Sequence, residues 1–369
     1  MPARSRFARV RQWPRQWSLL ARLSIAAIGI VLAAVIFAWS GVFNIGASRG
    51  HFAIVELALS FIMHNSVETH ALGAPAPPPL DNPDLEILGA SHFHRSCAPC
   101  HSAPGQRLNA MAQTMLPPPP ELNDASARWK DRELFWIIKH GIKYTGMPAW
   151  ATQHRDDEVW SLVAFLKALP ALDTVAYTRL AFGANTEPQS MTALASCAVC
   201  HGDADHGPRS QLVPVLHGQP TAFLQAALRA YAIGTRHSGI MQPVATDLPE
   251  NTIATLARHY SRLAPPRRPA ASASDQNIER GRRLAIDGKP IDGIPPCMAC
   301  HGGEALETFP RLAGQSAAYM ASRLRHLRNG IDDYPGAAIM MPIARAMSDQ
   351  QIEDISAYFA AQAPERRQP

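Results

Sequence analysis

The sequence predicts an all-α chain: three tandem helical modules behind one N-terminal membrane-spanning helix. Three observations carry that reading: a charge-free apolar stretch near the N-terminus, a cysteine motif that recurs every 100 residues, and a helical apolar face after each copy. No run of alternating apolar and polar residues marks a strand. A length of 369 residues allows two to three domains. With 47% hydrophobic and 18% charged residues the composition is globular, which excludes a disordered chain. The 32 prolines, about 9% of the chain against roughly 5% in average usage, favour short elements joined by stiff connectors.

The formal charge of +5 invites a nucleic-acid partner, but its distribution argues against one. Arg4, Arg6, Arg9, Arg11, Arg15 and Arg22 lie in the first 22 residues with no acid among them, and the remaining 29 basic groups meet 30 acidic ones. Residues 1–22 are therefore expected as a basic cytoplasmic tail. From Leu23 to Val42 run 20 residues without a charge, about 30 Å of helix and the thickness of a bilayer's hydrocarbon core. A cleaved signal peptide is the alternative, but its apolar region is shorter, roughly 7 to 15 residues, and ends in a small-x-small site that Ile45-Gly46-Ala47 matches poorly. The expectation is a retained transmembrane anchor over 23–43. Arginines before it and only Arg49 just after it place everything from Gly50 onward outside the cytoplasm.

Residues 44–83 are expected to hold a juxtamembrane helix, His51 to Leu72, and a Pro-rich spacer. Phe52, Val55, Leu59 and Ile62 fall at helical spacing, and the apolar run is too short to span. That helix is expected to lie on the membrane or on a partner. Pro75, Pro77, Pro78 and Pro79 make a semi-rigid spacer.

Self-comparison organises the rest. Cys97-Ala98-Pro99-Cys100-His101, Cys197-Ala198-Val199-Cys200-His201 and Cys297-Met298-Ala299-Cys300-His301 use every cysteine in the chain. Downstream, Met147, Met241 and Met340 each precede an alanine by four positions, at Ala151, Ala245 and Ala344. Apolar residues then return in register: Val159, Ile253 and Ile352; Leu162, Leu256 and Ile355; Leu166, Tyr260 and Phe359. Intervals of three and four make one face of an α-helix. Ser348 with Gln351, and Asp247 with Glu250, read as capping-box pairs at its start. The second and third copies share Pro214-x-Leu216-x-Gly218-Gln219 and Pro310-x-Leu312-x-Gly314-Gln315. The first is divergent, with 46 residues from His101 to Met147 against 40 and 39 in the others. Expected module limits are 84–170, 177–263 and 275–363, with 264–274 a linker of Pro, Arg, Ala and Ser.

Cys-x-x-Cys-His admits three chemistries. Structural zinc needs four ligands, and each module offers one cysteine pair. A thioredoxin-like pair needs a βαβ setting, which the helical flanks do not provide. A covalent haem remains, with the two thiols as thioethers and the histidine as axial ligand to iron. Cys97, Cys100, Cys197, Cys200, Cys297 and Cys300 are the expected haem attachments, for three haems c in all, and His101, His201 and His301 the expected iron ligands.

On these motifs the sequence resembles the class I cytochrome c family, in tandem. The second and third modules resemble the halves of dihaem cytochromes of the c4 type, through Cys-x-x-Cys-His-Gly and the segments Ile240-Met241-Gln242-Pro243-Val244-Ala245 and Ile339-Met340-Met341-Pro342-Ile343-Ala344. The first resembles a single-haem bacterial cytochrome c, through Cys97 to His101 and Gly146-Met147-Pro148-Ala149-Trp150. The resemblance covers residues 84 to 363. It implies three small helical cytochrome domains, a distal methionine opposite each histidine, and haem attachment outside the cytoplasm. Met147, Met241 and Met340 are the expected sixth ligands. Met341 competes with Met340, and the register to Ala344 favours Met340.

Iron held by His and Met has no open position for oxygen, peroxide or substrate, so no catalytic residue and no enzyme activity are expected. The expected function is electron transfer by a tri-haem cytochrome anchored in the bacterial inner membrane, its haem domains in the periplasm. A respiratory-chain dehydrogenase, quinol-linked complex or terminal oxidase would be its partner, and nucleic acid would not. Six propionates would make the external part acidic, so encounter with basic partners would slow with salt. A peroxidase-like enzyme or a gas sensor would need one open iron. The remaining histidines, His92, His94, His217 and His326 among them, read as surface or packing residues. So do Trp136 and Trp150, with haem contact as their alternative. Pro99, Pro148, Pro243 and Pro342 are expected to stiffen haem-contacting loops, and Arg323, Arg325 and Arg328 to form a solvated helix face.

Overall fold

The computed structural model describes residues 18–183, 192–266, 273–302 and 307–364. Arg4, Arg6, Arg9, Arg11 and Arg15 and residues 267–272 of the expected linker lie outside the described residues. The chain forms two compact units, residues 1–52 and 53–369. Among the described residues all regular structure is helical, apart from an isolated bridge between Lys289 and Ile294.

The first unit carries α1 (Leu19–Trp39), none of whose residues is buried. Its 21 residues rise about 31 Å, and it is long and apolar enough to cross a membrane. It starts four residues before the expected Leu23. The Ser18 hydroxyl accepts the Ala21 N–H at 3.3 Å and sets the end, and Arg22 is carried inside the first turns.

In the second unit α2 (Ala53–Ala71) changes character along its length. Phe52 before it and Ile54, Leu57, Phe61 and Ile62 within it are exposed, whereas Val67 and Ala71 are buried. The second half packs on the chain's own first repeat: His64 stacks on Trp129 at 4.8 Å between ring centres and His70 lies 5.6 Å from Trp136. The helix expected on the membrane or a partner thus finds half of its partner inside this molecule.

The first repeat continues through α3 (Pro83–Ser96), α4 (Ala98–His101), α5 (Ala110–Gln113), α6 (Ala125–Arg128), α7 (Asp131–His140), α8 (Asp156–Ala168) and α9 (Thr174–Phe182). Asn82 caps α3, and Pro83 takes the first helical position, where a missing N–H goes unnoticed. α3 packs across α8 at Gly89, where a Cβ would overlap the Ser161 carbonyl. Phe93 on α3 meets Phe165 on α8 at 4.9 Å and Tyr177 on α9 at 6.3 Å. Tyr177, Ala181 and Phe182 are buried in this same core. The first core therefore runs past the expected module break between 170 and 177, through Phe182 to Val199. The apolar face of α9 meets chiefly α3.

The second repeat comprises α10 (Ala193–His201), α11 (Thr221–Ala232), α12 (Met241–Thr246) and α13 (Glu250–Arg262). Its core of Leu224, Ala257 and Tyr260 is small. The expected Asp247–Glu250 capping box does not form. Asp247 ends α12, Pro249 precedes α13 without a side-chain cap, and Glu250 turns to Arg229 on α11.

The third repeat comprises α14 (Asp275–Asp287), α15 (Met298–His301), α16 (Ala317–Arg328), α17 (Pro335–Ala346) and α18 (Asp349–Ala361). α14 crosses α18 at Gly281, where a Cβ would overlap the Asp354 carbonyl. The capping box of α18 forms as the sequence predicts: Gln351 N–H donates to Ser348 Oγ at 3.2 Å and Ser348 N–H to Gln351 Oε1 at 2.8 Å. The face predicted from the repeat is buried in all three helices, by Val159, Leu162 and Leu166, by Ile253, Leu256 and Tyr260, and by Ile352, Ile355 and Phe359.

Candidate functional site

Each Cys-x-x-Cys-His sits on one helical turn. α4 and α15 are single turns beginning just after Cys97 and Cys297, and α10 ends on His201. Positions i and i+3 share a helix side, so each turn presents both sulfurs together. All six cysteines are free thiols. Burial pushes Cys97 up to about 12 and Cys197 and Cys297 up to about 11, so they are neutral thiols at neutral pH. No group of three or more His, Cys, Asp or Glu able to hold a metal ion occurs among the described residues.

The three histidines are aimed in one manner. His101 Nδ1 lies 2.9 Å from the Pro120 carbonyl oxygen, His201 Nδ1 3.1 Å from that of Pro214, and His301 Nδ1 2.8 Å from that of Pro310. Each Nδ1–H donates to a proline carbonyl, which leaves Nε2 as the ligating nitrogen. Burial lowers His201 to about 4 and lowers His301 as well, keeping both in the neutral form that binds metal. Self-comparison missed these prolines in the first repeat. The signal was present as Pro120-x-Leu122, matching Pro214-x-Leu216 and Pro310-x-Leu312.

A continuous cavity of about 1530 Å³ is lined by Cys197, Cys200, His201 and Met241 together with Cys297, His301 and Met340. It exceeds an ordinary small-molecule pocket of roughly 300–1,000 Å³ and has room for two flat macrocycles. Arg236 lines the cavity at 5% exposure with its Nε buried and without a hydrogen-bond partner. Its guanidinium lies over the rings of Tyr231 and Tyr334 at 4.7 and 5.5 Å. A buried donor aimed into a cavity between two motifs fits the carboxylate arm of a haem. Cys97, Cys100, His101 and Met147 do not line this cavity.

The methionines differ in how they are held. Met147 follows a loop in which its N–H meets Thr145 Oγ1 at 3.2 Å and its carbonyl accepts from Ile142 N–H at 3.2 Å. Gly141 has φ +65°, and a Cβ there would press on the Met147 carbonyl, so glycine lets the strap close. Met241 opens α12, whereas Met340 lies inside α17 with Pro342 two residues after it. Pro99 in α4, Pro243 in α12 and Pro342 in α17 are thus helical, not loop residues as expected. Met340 lines the cavity and Met341 does not.

Charged groups gather where the repeats meet. The carboxylate of Glu158 on α8 accepts from Ser238 Oγ and Gly239 N–H, both at 2.6 Å, and pairs with Arg155 at 2.9 Å. Burial pushes Glu158 up against the pull of Arg155. Asp157 is penalised by burial too, but Arg155 and the Ser322 hydroxyl at 3.1 Å hold it down at about 2. Asp332 accepts the His237 N–H at 2.9 Å, pairs with Arg323 and lies 3.2 Å from His326 Nε2. Burial opposes its charge, and His326 and Arg323 overcome that and hold it well below the usual carboxylate range. Arg323 is therefore paired inward, not solvated as expected; Arg325 pairs with Glu353 and Arg328 with Asp349 on the exposed side.

The remaining aromatic and imidazole groups pack. His92 lies edge-on to Trp150 at 4.8 Å and is lowered to about 4 by burial, then by Arg95. His94 meets Phe182 at 4.4 Å, and Trp136 lies between His70 and His140.

The family described as cytochrome c oxidase, cbb3-type, subunit III matches residues 88–166, and that described as cytochrome c matches residues 278–362. A thiosulfate dehydrogenase electron acceptor of Thiomonas intermedia (strain K12) is 35% identical over 171 residues, 46% of this chain and 79% of that protein. Cytochrome c4 of Thiocapsa roseopersicina is 31% identical over 183 residues, 47% of this chain and 91% of that protein. Among solved structures, Acidithiobacillus ferrooxidans cytochrome c4 shares 32% identity, with 45% of this chain and 97% of that chain covered at a TM-score of 0.41.

Proposed function

Because the chain belongs to the class I cytochrome c family, we propose that it is a tri-haem electron carrier held in the inner membrane by α1, its three haems facing the periplasm. The observation that carries this reading is the threefold aim of His101, His201 and His301, each held at Nδ1 by a proline carbonyl so that Nε2 is the nitrogen that would take an iron. When bound, haem c supplies a one-electron iron couple. The chain's own part would be to hold each haem through its cysteine pair, with His101, His201 and His301 and with Met147, Met241 and Met340 as the residues that would bind iron and keep water and substrate off it.

The geometry supports a linear order with the second haem in the middle. The second and third motifs share one cavity. The first abuts the second directly: Arg95 Nη2 on α3 donates to the Ser196 carbonyl at 2.5 Å, and Cys97 and Cys200 pack on one apolar cluster that includes Val199. The Thiomonas relative's role as electron acceptor supports a periplasmic dehydrogenase as donor, and the oxidase-subunit likeness of residues 88–166 supports a terminal oxidase as acceptor.

Redox titration of the purified full chain, followed optically and by electron spin resonance, is expected to show three low-spin haems with histidine–methionine ligation, and intact mass to show three porphyrins. Carbon monoxide uptake by the reduced protein at one site per chain would instead mean an open iron and an enzyme or sensor. Membrane anchoring is expected to survive a high-salt wash and to be lost on deletion of residues 1–52.

A further inference from the structure

The strap that carries Met241 is held from outside its own repeat. Met241 N–H donates to Ser238 Oγ at 2.9 Å and Ile240 N–H to the same oxygen at 3.3 Å. Ser238 Oγ donates in turn to Glu158 Oε1, and Gly239 N–H takes Oε2. Both oxygens of one carboxylate on α8 of the first repeat are therefore spent on the two residues that lead to Met241. Glu158 is 3% exposed, and Arg155, which also donates to the His237 carbonyl at 3.3 Å, balances its charge. The indole of Trp150, another first-repeat residue, lies where a Cβ on Gly239 would stand, so the strap is pressed as well as tied.

The other two methionines have no such arrangement. Met147 is tied to Thr145 of its own loop, and Met340 is held by the backbone of α17. A buried carboxylate is an expensive brace even for a buried turn, and a neutral side chain would pack there at less cost. What the charge adds is two short, directional hydrogen bonds at a fixed spacing.

We propose that Glu158 is a positioning residue for Met241: acting through Ser238 and Gly239, the first repeat sets where the thioether stands relative to the second iron. The first repeat is then a neighbour in the wire and also the holder of the middle ligand. This rests on the histidine–methionine reading given above.

The test uses the full-length holoprotein and three variants. In Glu158→Ala the far-red thioether-to-iron band of the oxidised protein is expected to fall by about a third, one site of three, with one of three midpoint potentials lowered and haem content by mass unchanged. Ser238→Ala should reproduce the same single-haem change. Asp157→Asn, which loses the charge facing Arg155 and weakens the bond from Ser322 but leaves both Glu158 bonds to Ser238 and Gly239 in place, should leave band and potentials as they were. A folded Glu158→Ala with unchanged band and potentials overturns the proposal, as does an equal shift in Asp157→Asn. If Glu158→Ala does not fold, an unchanged band in Ser238→Ala overturns it. Absence of the band from the unmodified protein would remove the histidine–methionine reading itself, and the proposal with it.

Discussion

Gln219 and Gln315 reach across the contact between the second and third repeats in mirrored fashion. Gln219 Nε2 donates to the Arg311 carbonyl at 2.8 Å while its Oε1 accepts the Arg311 N–H at 3.0 Å. Gln315 Nε2 donates to the Val215 carbonyl at 3.1 Å while its Oε1 accepts the Val215 N–H at 2.8 Å. Each amide satisfies both backbone groups of one residue of the other repeat, directly beside Pro310 or Pro214, the prolines that orient His301 and His201. The clamp between repeats and the aim of the iron ligands are one piece of backbone.

Gln315→Ala strips the Val215 N–H and carbonyl of their partners in a buried setting, a loss of about 1–3 kcal/mol per unsatisfied group. Thermal unfolding of the holoprotein should show it, and Gln219→Ala should show a similar drop by the symmetry of the contact.

Met340 and Met341 separate by one substitution each. Met340→Leu should remove one of three far-red bands and let the reduced protein bind one carbon monoxide, while Met341→Leu should do neither, because only Met340 faces the cavity. Optical titration with carbon monoxide reads the difference.

Gly89→Ala and Gly281→Ala place a methyl on a carbonyl of the facing helix, Ser161 or Asp354, at the tightest helix crossings of the first and third repeats. Overpacking of this kind costs about 1–3 kcal/mol, and backbone atoms cannot rotate aside. Chemical denaturation should show both variants less stable, with haem content unchanged in the folded fraction.

Asp157 and Asp332 both have folded values below their unfolded ones. Their contribution is fully present above the unfolded carboxylate value of about 3.9 and is lost as pH falls through the folded values. The share of stability that these two acids supply should thus be level from neutral pH down to about pH 4 and drop steeply below that as they protonate. It comes on top of the loss that buried neutral His92, lowered to about 4, brings as pH falls below about 6.5. Asp332→Asn should lower stability at neutral pH by about 3–5 kcal/mol, since Arg323 would be left buried without its counter-charge, and should flatten the acid limb of the profile. Urea unfolding at a series of pH values measures both.

Much of the candidate site was legible because it is local. Two sulfurs one turn apart with a histidine beside them, and a methionine in register with the following helix, are patterns within short windows. Pro120-x-Leu122 was equally local but hidden by the longer spacing of the first repeat, nineteen residues from His101 where the others stand at thirteen and nine. Glu158, Asp332 and Arg236 had no such window. Each looks like an ordinary polar residue on a helix or loop until a second repeat closes over it.

By itself the sequence determined the helical class, the apolar helix at the N-terminus, the three attachment motifs and the face of each closing helix, since each follows from covalent spacing and the 3.6-residue turn. Tertiary structure alone decided that α9 joins the first core, that two motifs open on one cavity, and that a carboxylate of one repeat ties the methionine strap of the next. Those contacts join residues 80 and more positions apart, and burial there depends on how whole surfaces fit, which no local pattern records.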